Sequence, residues 1–224
     1  MSKGIFITGT DTGIGKTVVS CVLLEQLKQA GFSALGMKPI ASGCEQTADG
    51  LRNEDAQWLM RHSSTESQYD IVNPFAFEPA IAPHIAAQQA NVEIDFDLIA
   101  QCYMQLQAES DYVIVEGVGG WQVPLAGKQT VADLALKLDL PVLMVSGIRL
   151  GAINHSVLTA QAILQSGLTL AGWVANIVDE DMLYADENIS AIQDRVSAPL
   201  LGVLPYQHSI DPVAMTGNLK QIRI

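Results

Sequence analysis

The strongest constraint on this chain lies near its start. An apolar run, Ile5-Phe6-Ile7, leads into Gly9-Thr10-Asp11-Thr12-Gly13-Ile14-Gly15-Lys16-Thr17, and an apolar-periodic segment follows. Strand, glycine-rich loop, helix is the order that a phosphate-binding loop requires. Glycines let successive backbone N–H groups turn toward phosphate oxygens, Lys16 adds a mobile cation, and Thr17 places a hydroxyl where magnesium sits at a helix N-terminus. The spacing departs by one residue from G-x-x-x-x-G-K-[ST]: Thr10 stands where the first glycine is expected, and Gly9 comes one position earlier. The loop therefore points to a nucleoside triphosphate, with Gly13, Ile14, Gly15, Lys16 and Thr17 as its contacts.

Charge narrows the partners. Twelve basic against twenty-four acidic side chains give a formal net charge of −12, which argues against nucleic acid or an anionic membrane surface. An anionic ligand must then be held locally. The three cysteines, Cys21, Cys44 and Cys102, are odd in number and lack metal spacing, so they read as free thiols in a reducing compartment. The chain enters a strand at once, without the charged and apolar stretches of a signal peptide, and no apolar run approaches bilayer length. The expected location is the cytoplasm.

Apolar runs at Gly4–Thr8, Ala34–Pro39, Tyr112–Glu116, Val142–Ser146, Gly172–Asn176 and Leu200–Leu204 read as buried parallel strands. Helical periodicity falls between them, at Lys16–Ala30, Glu54–Arg61, Phe96–Ala108, Val131–Leu138, Ile153–Gln165 and Ala185–Val196. Repeated strand–helix–strand units predict an α/β fold: a doubly wound, mainly parallel sheet flanked by helices, one domain over residues 1–224, with ligands at the carboxyl ends of the strands. The exception is Ser63–Val92, which has Pro74, Pro79 and Pro83 and no sustained period. It reads as one long excursion.

Several strand ends carry chemistry. Lys38, just past the second strand, is either a second ammonium facing the phosphate site or a solvated strand-end lysine. Tyr112-Val113-Ile114-Val115-Glu116-Gly117-Val118-Gly119-Gly120 is an apolar strand closed by a carboxylate and a glycine-rich turn, where a phosphate-loop protein places an acid near magnesium. Asp55 is either a second carboxylate for that cation or a complement to the positive end of its own helix. Asn176 ends another strand, and its amide reads a base edge or closes a turn. His62, His84, His155 and His208 have no metal or nucleophile partner at a useful spacing, and Ser42 lacks a nucleophile-elbow context.

In this order the segments resemble the dethiobiotin synthetase family over almost the whole chain. The motifs are Gly9–Thr17, Lys38-Pro39-x-x-Ser42-Gly43, Gly50-Leu51-Arg52-Asn53-x-Asp55, Asn73-Pro74, Pro83-His84, Val115-Glu116-Gly117-x-Gly119-Gly120, Leu150-Gly151-x-Ile153-Asn154-His155, Gly172-Trp173-x-x-Asn176 and Pro199-Leu200-Leu201-Gly202. The resemblance implies ATP-dependent carboxylation of 7,8-diaminononanoate by CO2, followed by closure of a cyclic urea. It also implies roles. Lys16 bridges the β- and γ-phosphates, and Thr17, Asp55 and Glu116 hold Mg2+. Thr12, Lys38 and Ser42 surround the carbamate, and Gly119 lies on the ATP side. Asn176 and Pro205 meet the adenine, while Gly151 and Asn154 reach the substrate from the partner subunit of a homodimer.

Three positions depart from the family pattern. Gly13 stands where some relatives have Glu, and Ala82 replaces a Ser before Pro83-His84. Asn188 aligns with a Tyr that contacts the substrate carboxylate, for which Tyr184, four residues earlier, is a substitute. A paralogue acting on a related diamine would share every phosphate-side motif. A ParA- or MinD-like switch ATPase is the competing class, but Asp11 occupies the place of its additional lysine. The tail Met215–Ile224 carries only Lys220 and Arg223, too little for a basic membrane helix.

Overall fold

The computed structural model describes residues 3–220; Arg223 lies outside them. The chain runs β1 (Lys3–Gly9), α1 (Lys16–Gln29), β2 (Ala34–Met37), β3 (Ile40–Ser42), β4 (Glu45–Thr47), β5 (Gly50–Arg52), α2 (Glu54–His62), α3 (Tyr69–Val72), β6 (Phe75–Phe77) and α4 (Pro83–Ala90). It continues through α5 (Phe96–Glu109), β7 (Tyr112–Glu116), β8 (Pro124–Ala126), β9 (Gln129–Thr130), α6 (Val131–Leu138), β10 (Val142–Ile148), α7 (Ala152–Gln165), β11 (Leu170–Ile177), α8 (Ala185–Gln193) and β12 (Leu200–Leu204).

Six strands form one parallel sheet in the order β12-β11-β10-β1-β7-β2. Because side chains alternate across a strand, each strand feeds two core layers. Ile5, Ile7, Ile114, Leu143 and Val145 join Val19, Val22 and Leu59 of α1 and α2 on one face. Phe6, Val113, Val115 and Met144 join Ile99 of α5, Leu134 of α6 and Ile163 of α7 on the other. Helices thus cover both faces, as the strand–helix alternation requires. No helix among the described residues is long and apolar enough to cross a membrane.

Strand order decides what meets what. β7 lies between β1 and β2, with Ile7 paired to Glu116 and Met37 to Val115. The phosphate loop, Lys38 and Glu116 therefore leave three adjacent strands at one sheet edge, where the order turns from β2 back to β1 and then to β10.

The segment 63–92 is more structured than its sequence suggests. It holds α3, β6 and α4, and β6 pairs in parallel with β3. Elements of three or four residues are too short to show a period, and Pro83, which reads as a breaker, instead opens α4 at its first turn. Most other expected ends coincide with the structure, and the rest differ by one to three residues. Strand β2 stops at Met37, ahead of Pro39, which has no N–H for a ladder.

Candidate active site

The loop after β1 is shaped by close approach. A Cβ at Gly9 would meet Ile14 Cδ1 at 2.8 Å, so the glycine required at the start of the loop is Gly9. Thr10 then takes another role: its N–H donates to the Val145 carbonyl at 3.0 Å, and its hydroxyl accepts from Gly147 N–H at 3.4 Å. That accounts for the extra residue in the motif. Gly15 caps α1 with φ 84°, a left-handed conformation that favours glycine. A Cβ there would lie 2.1 Å from the Asn176 amide nitrogen. Asn176 itself donates to the Ile14 carbonyl at 2.9 Å, so it buttresses the loop from the end of β11.

Four charged groups and a hydroxyl converge beyond the loop. The Lys38 ammonium donates to Glu116 Oε1 at 2.6 Å and to Asp55 Oδ2 at 2.9 Å. Thr17 Oγ1 lies 2.8 Å from Asp55 Oδ1 and 3.0 Å from Glu116 Oε1, so its one proton serves either carboxylate. Lys38 is 3 % exposed and Glu116 fully buried, which removes the solvated strand-end reading of Lys38. Asp55 lies in the first turn of α2, whose N-cap is Asn53, and it also joins the cluster. Lys16 Nζ donates to the Asp11 carbonyl at 2.8 Å, and Arg149 pairs with the Asp11 carboxylate.

Burial and neighbouring charge set the protonation of these groups. The Lys16 ammonium is pulled down to about 8, first by burial and then by the like charge of Lys38. Burial also works against the charged form of Lys38. Glu116 and Asp55 outweigh it, and the net shift is upward. Asp55 is pushed up by burial but pulled down further by Lys38, so its carboxyl sits below the usual range.

A cavity of about 460 Å³ opens over this cluster. Lys16, Thr17, Lys38, Asp55 and Glu116 line it, together with Thr12, Gly13, Gly15, Ser42 and Gly119. Two buried oxygens, Ser42 Oγ and Glu116 Oε2, have no hydrogen-bond partner. An unpartnered carboxylate oxygen beside a second carboxylate and a hydroxyl suits a hard divalent cation. Among the described residues no group of three His, Cys, Asp or Glu could hold a metal. The chain thus offers only part of a coordination shell, the arrangement Mg2+ accepts when phosphates and water complete it.

Not every expected residue lines the cavity. The Ile14 side chain is buried in the core. Asn176, Pro205, Gly151 and Asn154 lie outside the lining, and the last three are exposed. Tyr184 caps α8 in the left-handed region, and Asn188 Nδ2 donates to its carbonyl at 2.9 Å. The three cysteines are buried and unpaired.

Two features escaped the sequence. Asn73 Nδ2 donates to the Lys38 carbonyl at 2.6 Å, Tyr69 OH donates to Asn73 Oδ1 at 2.9 Å, and Tyr69 OH accepts from Asn53 N–H at 2.7 Å. This relay fixes Lys38 relative to the start of α2, and hence to Asp55. Asn73-Pro74 and the Asn53 of Gly50-Leu51-Arg52-Asn53-x-Asp55 were its traces in the sequence, without the link between them. The second is Trp58, which lines the cavity but lies outside every motif.

Comparison with known proteins agrees with this geometry. A family model described as an AAA domain matches residues 3–214. A protein of Aromatoleum aromaticum named ATP-dependent dethiobiotin synthetase is 50% identical over 215 residues, covering 96% of each chain. Proteins of the same name are 48% identical in Pseudomonas aeruginosa, covering 96% of this chain and 94% of that one, and 46% in Yersinia pestis, covering 96% and 90%. The MinC:MinD cell division complex of Aquifex aeolicus contains a chain of similar fold, with a TM-score of 0.58 at 16% identity over 92% of this chain and 83% of that one. A ParA family ATPase of Chlorobium tepidum gives 0.54 at 12%, over 93% and 86%. These two likenesses are of fold alone.

Proposed function

The chain belongs to the dethiobiotin synthetase family, and we propose that it converts 7,8-diaminononanoate, CO2 and ATP into the cyclic urea dethiobiotin, ADP and phosphate, a step of biotin biosynthesis. The observation that carries this reading is the convergence of two lysines, two carboxylates and Thr17 beside an unpartnered Ser42 hydroxyl, with no nucleophile–base pair among them. Such a site supplies positioning and charge stabilisation, which is what this chemistry needs.

The atoms balance without a protein nucleophile. One substrate amine adds to CO2 and loses a proton, giving a carbamate. A carbamate oxygen takes the γ-phosphoryl group and ADP departs. The second amine then attacks the carbamoyl carbon and loses a proton, and phosphate leaves with one of the two oxygens that came from CO2, the other staying in the urea. In this scheme Lys16 spans the β- and γ-phosphates, with backbone N–H groups of Gly13, Ile14 and Gly15 around them and Gly119 nearby. Lys38, Thr12 and Ser42 surround the carbamate and the phosphoryl group in transit. Thr17, Asp55 and Glu116 would hold Mg2+, which neutralises phosphate charge when bound.

Asn176 and Pro205 lie at the strand ends where the adenine would rest. Gly151 and Asn154, exposed in one chain, would complete the partner's site in a homodimer, and Tyr184 or Asn188 would meet the substrate carboxylate. We further propose that residues 1–224 act as one domain, in the cytoplasm, where three unpaired thiols stay reduced. The switch-ATPase alternative rests only on fold, whereas the relatives near 50% identity carry the synthetase name.

The test is to incubate the protein with ATP, Mg2+, bicarbonate and either 7,8-diaminononanoate or a vicinal diamine of different chain length, and to read the urea by mass. Fastest urea formation from 7,8-diaminononanoate is expected. A faster related diamine would move the chain to a paralogous synthetase, and ATP hydrolysis without any urea would favour the switch ATPase.

A further inference from the structure

Lys38 stands where the sheet stops supporting its own main chain. Strand β2 is the last of the parallel sheet, paired to β7 on one side only, and it ends at Met37. Pro39, which follows Lys38, has no N–H to donate. The Lys38 backbone is held instead by the segment that closes α3. Its N–H donates to the Val72 carbonyl at 2.9 Å, and its carbonyl accepts from Asn73 Nδ2 at 2.6 Å. Asn73 Nδ2 also reaches the Phe75 carbonyl at 3.4 Å, and the residue is only 2 % exposed.

Tyr69 governs how Asn73 is presented. The single turn of α3 begins at Tyr69, and the four-residue step to Asn73 brings the two side chains together. The Tyr69 hydroxyl donates to Asn73 Oδ1 at 2.9 Å and accepts from Asn53 N–H at 2.7 Å. Asn53 in turn caps α2, its side chain accepting from Ala56 N–H at 3.2 Å. The ring is fixed as well. The Arg52 guanidinium carbon lies 4.1 Å from its centroid, and Arg52 Nη1 donates to the Leu51 carbonyl at 2.8 Å. Burial shifts the Tyr69 hydroxyl upward, which keeps its proton in place to donate while its oxygen accepts. Tyr69 and Asn73 are not among the residues that line the cavity.

We propose that Tyr69 is a positioning residue for phosphoryl transfer: acting through Asn73, it sets the Lys38 ammonium against Asp55 and Glu116, and it touches neither nucleotide nor metal. The assignment rests on the synthetase reading above. One ammonium meets two carboxylates at 2.6 and 2.9 Å, so a shift of the Lys38 main chain displaces it from both. A misplacement of about 1 Å at a reacting centre costs on the order of a hundredfold in rate. The phosphate loop leaves β1, two strands away, and is braced by Val145, Gly147 and Asn176. Its hold on phosphate does not depend on α3.

The test compares the wild type, Tyr69→Phe, Asn73→Ala and the double variant by single-turnover urea formation, calorimetric titration of ADP with Mg2+, and thermal unfolding, with rates taken well below every melting transition. Tyr69→Phe keeps the ring against Arg52 and removes only the hydroxyl. It should slow urea formation on the order of tenfold or more and leave ADP affinity unchanged. The double variant should be no slower than Asn73→Ala, because both lesions break one chain of hydrogen bonds. Tyr69→Phe alone decides the case should Asn73→Ala not fold. A wild-type rate in Tyr69→Phe, equal losses of rate and ADP affinity, or losses that multiply in the double variant would overturn the assignment while leaving the synthetase reading intact. Failure of the wild type to form urea would overturn both.

Discussion

The Lys38 ammonium lies 2.6 Å from Glu116 Oε1, and the pair is sealed from solvent at the ends of two neighbouring strands. A carboxylate this deeply buried needs its counter-charge. Replacing Lys38 by Ala is therefore expected to destabilise the unligated protein by about 3–5 kcal/mol, the range for breaking a buried ion pair, read by denaturant unfolding. Lys38→Arg should recover much of that stability but not urea formation, because a broad planar guanidinium does not place a compact charge in the same space. Normal turnover by either variant would return Lys38 to a structural role.

Lys16 gives the site a pH dependence. Its conjugate acid in the free protein sits near 8 because burial and Lys38 disfavour the charge. A bound phosphate favours the charge and raises that value. Between pH 8 and the bound-state value, nucleotide binding must then take up a proton, and affinity must fall as pH rises above about 8. Calorimetry of an ATP analogue at pH 8.5, in buffers of different ionisation enthalpy, should show the uptake. Lys16→Met should bind far more weakly and show none.

The hydroxyl of Thr17 is shared between Asp55 and Glu116, and in the proposed function it would tie the metal to the loop. Chelation of divalent cations should abolish urea formation, and Mg2+ should restore it. Thr17→Val keeps the side-chain shape but removes that oxygen, so the Mg2+ concentration for half-maximal rate should rise on the order of tenfold, as when one well-placed ligand or its support is lost. An unchanged Mg2+ requirement would exclude Thr17 from the metal.

Much of this was legible in the sequence because the physics was local. The strands at Tyr112–Glu116 and Leu200–Leu204 and the helix at Val131–Leu138 match expectation at both ends, since long apolar runs and regular periods need no distant partner. Lys38 was legible only as a pair of alternatives. What decides between them, burial beside Asp55 and Glu116, comes from 17 and 78 residues away. The Asn73–Tyr69–Asn53 relay and Trp58 were illegible for the same reason. Asn53 and Asn73 stand in motifs, but a sequence does not say which of its residues will meet across the fold, or which will wall a cavity. The short strands β3 and β6 stabilise one another only once the chain has folded back.

Asn154 and its neighbour Leu150 stand exposed at the start of α7, with Leu150 93 % exposed. If that segment completes the partner's site, mixing inactive Asn154→Ala and Lys16→Ala chains should restore activity. One heterodimer site then carries both lesions and the other neither, so random exchange should give about a quarter of wild-type activity. No recovery after verified exchange would show that each chain builds its own site.

The fate of one oxygen distinguishes the phosphorylated-carbamate route from any other. Urea formation should be run as a single turnover in unlabelled water, with ATP, Mg2+, 7,8-diaminononanoate and freshly added CO2 carrying heavy oxygen, and the released phosphate analysed by mass. The phosphorylated-carbamate route requires each phosphate to leave with one labelled oxygen while the urea keeps the other. Unlabelled phosphate accompanying labelled urea would contradict it, because the phosphoryl group would then never have been on the carbamate.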